Sequence, residues 1–182
     1  AVDASLHLHG PNGKRVVKAD DFFQGVFTVD LAVDEILTKV SFSPVSSAAY
    51  AKLLQRASRF AIVGVAAALE VGNSVIASAR VALTGATSCP SRLSHVEASL
   101  VGQPASVDVV EAAAANAGDG VDDLNEDIHA SADYRRAMIP VFARRALIQA
   151  LSRVDGGSLH DGDQGSRISQ LAKDVGRIFK GR

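Results

Sequence analysis

Apolar residues along this chain follow two different periods. Up to residue 85 they tend to alternate with polar ones, as in a half-buried strand, and beyond it they recur every three or four positions, as on one face of a helix. Residues 5–9 alternate, 10–13 (Gly-Pro-Asn-Gly) supply turn chemistry and 14–18 return, which predicts an N-terminal hairpin. Residues 35–42 alternate again. Ile36, Thr38, Val40 and Phe42 are expected on one side and Leu37 on the other, with Pro44 ending the run. A short strand is predicted at 50–55. Two longer ones, 60–70 and 75–86, are joined by a turn at Asn73-Ser74 and should pair as antiparallel neighbours. The alanines at 66–70 leave a helix open there.

After Gly85 a helix is expected at 91–100, starting at Ser91 or Ser94. Gly102 to Pro104 breaks it, and a second helix follows the cap Ser106. An acidic loop then leads to Ser131, the cap of a long helix with Asp133 in its first turn. Met138, Val141, Phe142, Ala146 and Gln149 recur along it at helical spacing, and Pro140 threatens a kink. Residues 154–165 read as a glycine-rich linker, and 166–182 as a basic amphipathic helix. Strands first and helices afterwards predict an α+β fold: a small antiparallel sheet covered on one face by a helical bundle.

Composition narrows the classes of function. A formal net charge of -1 over 182 residues gives no basic field, so no nucleic-acid partner is expected. One cysteine, Cys89, excludes an internal disulfide and a clustered-thiolate metal site, and suits a reducing, cytoplasmic setting. No run approaches the ~20 apolar residues of a membrane span. His7 and His9 have chelating spacing but no third ligand nearby. Arg135 and Arg136 open the long helix, where a cation opposes the dipole, so acidic partners such as Asp127 or Asp133 are expected. Arg144 and Arg145 are expected on or beside its outer face. On these grounds alone the chain has no evident catalytic centre.

Four stretches, "DFFQGVFTVDLAVDEILTKVSF", "YAKLLQRASRFAIVGVAAALE", "ARVALTGATSCPSRLSHVEASLVG" and "DIHASADYRRAMIPVFARRAL", together resemble the C-terminal part of the FAD-binding medium subunit of molybdenum hydroxylases, the group of aerobic carbon monoxide dehydrogenase and xanthine dehydrogenase. The resemblance implies residues 1–43 as the end of the FAD-binding domain and 44–153 as the C-terminal domain. It implies electron transfer from iron–sulfur clusters through FAD to an acceptor. The partners would be a large subunit holding the molybdenum cofactor and a small subunit holding the clusters. It assigns Leu37, with Ile36 beside it, to the isoalloxazine, and Lys52 in "AYAK" to the flavin edge, where a cation stabilises negative charge on reduced flavin. The family's glycine-rich pyrophosphate loops, of the kinds "GGxS" and "TIGG", are not in this sequence, and Val33-Asp34 replaces a Pro-Gly that often precedes "EIL". A piece of a longer subunit, a separately encoded half and an assembly module without flavin are all consistent with that. The basic helix at 166–182 is open to packing on its own domain, docking on a partner subunit or lying on the inner face of a membrane.

Overall fold

The structure, a computed structural model, describes residues 1–154. The expected helix at 166–182 and its contacts, including the membrane surface, lie outside the described residues, as does nearly all of the linker.

The N-terminal unit is built on a hairpin. Strands β1 (Ser5–Gly10) and β2 (Gly13–Lys18) pair with Gly10 opposite Gly13. A short helix α1 (Ala19–Phe22) and a small hairpin of β3 (Phe23–Gly25) and β4 (Thr28–Val29) follow. Strand β5 (Ile36–Ser41) then joins the free side of β1, giving the order β2-β1-β5. Leu6, Leu8 and Phe22 are the buried centre of this unit. Arg15 fastens it by gripping Glu35 through Nε at 2.7 Å and Nη2 at 2.8 Å, and Asp30 through Nη1 at 2.8 Å.

One detail of β5 departs from simple alternation. The register slips between His7, opposite Lys39, and Leu8, opposite Leu37, so Thr38 is an extra, bulged residue whose hydroxyl donates to the carbonyl of His7 at 3.0 Å. Leu37 therefore shares a face with Leu8, and Val40 with Leu6, rather than Val40 sharing one with Ile36. The sequence period cannot show this, because a bulge shifts every side chain beyond it to the opposite face.

The second sheet runs β6 (Ser47–Leu54), β7 (Ala61–Gly72), β8 (Val75–Thr84), β9 (Ser91–Arg92), all antiparallel. Asn73 and Ser74, both at positive φ, close the β7–β8 hairpin in two residues, as a primed turn requires. The alanines at 66–70 are strand, because β7 is paired along both edges and β-branched neighbours pack its inner face. That face, with Val63, Val65, Leu69, Val81 and Leu83, is covered by α4 (Ala132–Leu151) over β6 and β7 and by α2 (Ser94–Leu100) over β8, and α3 (Val107–Ala115) packs against these two helices. Ser106 and Ser131 cap α3 and α4, accepting from the amides of Val109 and Tyr134. Helix α2 starts after Leu93 with no side-chain cap, since Ser91 and Arg92 are taken up in β9.

Helix α4 continues through Pro140. Its buried stripe is Arg135, Ile139, Phe142, Ala143, Ala146, Leu147 and Ala150. Of the residues expected to line it, Val141 and Gln149 face solvent. The true stripe begins with an arginine, which a search for apolar periodicity passes over. The architecture is α+β, an antiparallel sheet with helices on one face and an N-terminal hairpin.

Candidate functional site

Helices α2 and α4 pack on the inner face of the second sheet, and its outer face is approached at one side by Asp3 and by Asp20 of α1. Cross-strand pairing places Tyr50 beside Ala66, Lys52 beside Gly64, Ala66 beside Ala82, Ala68 beside Arg80, and Ala82 beside Arg92 on this face. Its centre is a floor of small side chains, Gly64, Ala66, Ala68 and Ala82. Lys52 and Tyr50 stand at one side, and Arg80 and Arg92 at the other. Gly64 is required by Tyr50, since a Cβ there would lie 2.3 Å from the phenol oxygen and 3.0 Å from the ring. Packing over the glycine partly desolvates the phenol and raises its pKa.

Lys52 is exposed. Its Nζ donates to the carbonyl of Arg59 at 2.9 Å, across the hairpin of residues 55–60. The same hairpin holds Phe60, which is 78% exposed. Leu37 and Ile36 lie on the other sheet and on opposite faces of β5, 42% and 68% exposed. A flat ring lying against one face of β5 therefore meets one of them broadly and the other only at the strand edge. Leu37 and Lys52 thus belong to separate units of the fold, each presenting its side chain to solvent.

The arginines of α4 divide by role. Arg135 is 2% exposed. Its Nη1 donates to the carbonyls of Ile62 at 2.7 Å and Gly85 at 3.1 Å, and Nη2 to Asp127 at 2.7 Å. Nε is enclosed and has no partner among the described residues. Arg135 thus clamps the start of α4 to β7 and to the chain leaving β8. Asp127, the acid expected for it, is held below the usual carboxylate range by the amides of His129 and Ala130 and by the guanidinium. Arg136 donates to Gly118 O at 3.3 Å, Arg144 pairs with Glu111 of α3 at 2.6 Å, and Arg145 lies 4.8 Å over the Phe142 ring. This arrangement is structural.

The weaker candidates remain apart. His7 Nε2 meets Ser41 Oγ at 2.8 Å. Cys89 borders a cleft of about 250 Å³ with His95, Asp122 and Asp123. No cluster of His, Cys, Asp and Glu fit to hold a metal exists among the described residues. No helix among them is long and apolar enough to cross a membrane.

A four-stranded antiparallel sheet with three helices on one face and a small-residue floor on the other defines a class of α+β domain, and comparison with known proteins narrows it. Residues 48–150 match the model of the CO dehydrogenase flavoprotein C-terminal domain, and the chain belongs to that family. It is 31% identical over 156 residues to the carbon monoxide dehydrogenase medium chain of Hydrogenophaga pseudoflava, covering 84% of this chain and 54% of the relative. It is 30% identical to the nicotine 6-hydroxylase medium subunit of Paenarthrobacter nicotinovorans, with the same coverage. Among solved structures, carbon monoxide dehydrogenase from Hydrogenophaga pseudoflava lacking the Mo-pyranopterin moiety of its molybdenum cofactor superposes with a TM-score of 0.77 over 85% of this chain and 54% of that one. The chain spans about half the length of the relatives it matches.

Proposed function

We propose that this chain is part of the flavoprotein medium subunit of a molybdenum-containing dehydrogenase, where it helps cover FAD and pass electrons from iron–sulfur clusters to an acceptor. The observation that carries the reading is the likeness to medium chains along 84% of the chain. Residues 1–43 are read as the end of the FAD-binding domain and 44–153 as the C-terminal domain, which the two separate hydrophobic clusters support. The partners are a large subunit with the molybdenum cofactor and a small iron–sulfur subunit.

The residues present suit a flavin edge. Lys52 presents an exposed cation on a face floored by small side chains, and Leu37 presents an apolar surface from the neighbouring unit. FAD, when bound, supplies a carrier that takes and gives electrons. The chain contributes the surroundings. The Lys52 ammonium favours negative charge at the ring edge, Leu37 excludes water from it, and Ile36 borders it from the far side of β5. For Lys52 this means exchanging the Arg59 carbonyl for the ligand.

The test is Lys52→Ala in the subunit assembled with its partners. Stopped-flow flavin reduction should slow by about tenfold, less than the loss from a buried oxyanion donor because Lys52 is solvated. The melting temperature should be unchanged. An unaltered rate, potential and FAD content would reduce Lys52 to a surface lysine.

A further inference from the structure

The hydrophobic clusters of the two units do not merge, and the junction between them is charged. Asp3 sits just before β1. Its carboxylate lies 2.5 Å from Nε of Arg80 on β8 and 3.1 Å from Nη1 of Arg92 on β9. Both arginines rise from the outer face that also bears Lys52. Arg92 is gripped on its other side by Glu97, at 2.6 Å and 3.0 Å. Asp20 of α1 approaches Arg92 to 3.9 Å. Two acids of the N-terminal unit thus converge on two arginines of the second sheet. Asp3 holds a left-handed backbone, φ +45°, uncommon for a residue with a side chain. The next carbonyl, Ala4 O, accepts from the amide of Ala19 at 2.8 Å and ties this corner to α1.

We propose that Asp3 is a positioning residue whose bridge to Arg80 and Arg92 sets how the N-terminal unit stands on the outer face, and so the span between Leu37 and Lys52. The functional half of this inference rests on the flavin reading above. One carboxylate between two guanidinium groups does what neither arginine can do alone. It offsets their mutual repulsion and gives both a common partner from the other unit. The side chains are a quarter to a half exposed, 28%, 24% and 48% for Arg80, Arg92 and Asp3. Each bond is therefore individually weak and screened by salt. A joint of this kind holds an orientation at ordinary ionic strength and loosens when the charges are screened, while both cores stay folded.

Distances between spin labels test this on the 182-residue chain. In a Cys89→Ser background, one label is placed at Lys14→Cys on β2 and one at Gln149→Cys on α4, both exposed positions. The parent should give one narrow distance distribution at low salt. Asp3→Asn at low salt, and the parent in about 1 M salt, where the screening length falls to about 3 Å, should each broaden it about twofold. Asp3→Glu should retain the parent peak. The double variant Arg80→Gln/Arg92→Gln removes both guanidinium partners of Asp3 and should broaden the distribution likewise, which keeps the test open should Asp3→Asn not fold. Unchanged widths in the folded variants overturn the proposal. A complete subunit that takes up no FAD would strike down the flavin reading alone and leave the distance measurement standing.

Discussion

Arg135 shows what one side chain contributes when burial and charge coincide. Its enclosed guanidinium satisfies the carbonyls of Ile62 and Gly85, which the docked α4 partly shields from water, and reaches the half-exposed Asp127 carboxylate. Arg135→Leu preserves bulk but strips two carbonyls and an acid of their donor. The expected loss is about 3 kcal/mol, or a melting temperature lower by roughly 10 °C. Lysine should not rescue it, because a single ammonium cannot span the fork. A calorimetric scan of both variants checks this, and a loss under about 1 kcal/mol in Arg135→Leu would show the clamp to be dispensable. Arg15 does a different task at the surface of the N-terminal unit. Its hydrogen bonds, aided by the amide of Ala32, lower the Glu35 carboxyl from 4.5 to about 2. A carboxylate depressed in the folded state contributes stability that is complete above 4.5 and is lost as pH falls toward about 2. Glu35→Gln should therefore flatten the decline of melting temperature across that window while lowering the value at neutral pH. An acid limb identical to the parent's would mean that other carboxylates govern it.

At the scale of elements, the exit from β8 is the most constrained point. Gly85 follows the strand at φ +78°, and a Cβ there would sit 2.3 Å from the carbonyl oxygen of Ala61. Its own carbonyl receives Arg135 and the side-chain amide of Asn125. Strand end, helix start and acidic loop thus meet at one residue that tolerates no side chain. Gly85→Ala should cost about 3 kcal/mol through strain and the displaced hydrogen bonds. Denaturant unfolding measures it directly, and an unchanged midpoint would show that the chain relaxes there without penalty. The bulge at Thr38 is the second such point. It brings Leu37 and Val40 to the same side of β5 as the buried Leu8 and Leu6, and so decides which apolar surface the N-terminal unit offers.

For the whole molecule, the groups proposed for FAD are dispersed. Leu37 stands on one unit and Lys52 on another, both open to solvent, and the contacts proposed for them reach only the ring. The 182-residue chain alone should therefore bind FAD weakly. After incubation with FAD and gel filtration, its visible spectrum should show far less than one flavin per chain. A stoichiometric yellow complex would mean that this chain grips the rest of the cofactor through residues given no such role above.

What the amino-acid order determines by itself is local. Alternation marks β1, β2, β7 and β8, because successive strand side chains point to opposite faces. Asn73-Ser74 marks the hairpin turn and Ser106 and Ser131 the helix starts, because those side chains act on their own neighbouring backbone. The family was legible too, in four stretches whose order was enough to identify it, and with it the α+β layering. Tertiary structure decided the rest. It kept the alanines of 66–70 extended, since pairing on both edges of β7 outweighs a helix preference of a few tenths of a kcal/mol per residue. It moved the buried stripe of α4 onto Arg135, whose charge is tolerable only where distant carbonyls and Asp127 converge. It also set Lys52, Arg80 and Arg92 on one face and brought Asp3 to the two arginines across more than seventy residues of chain. No local pattern encodes such meetings, because they join residues far apart in sequence whose contacts exist only once both sheets have formed.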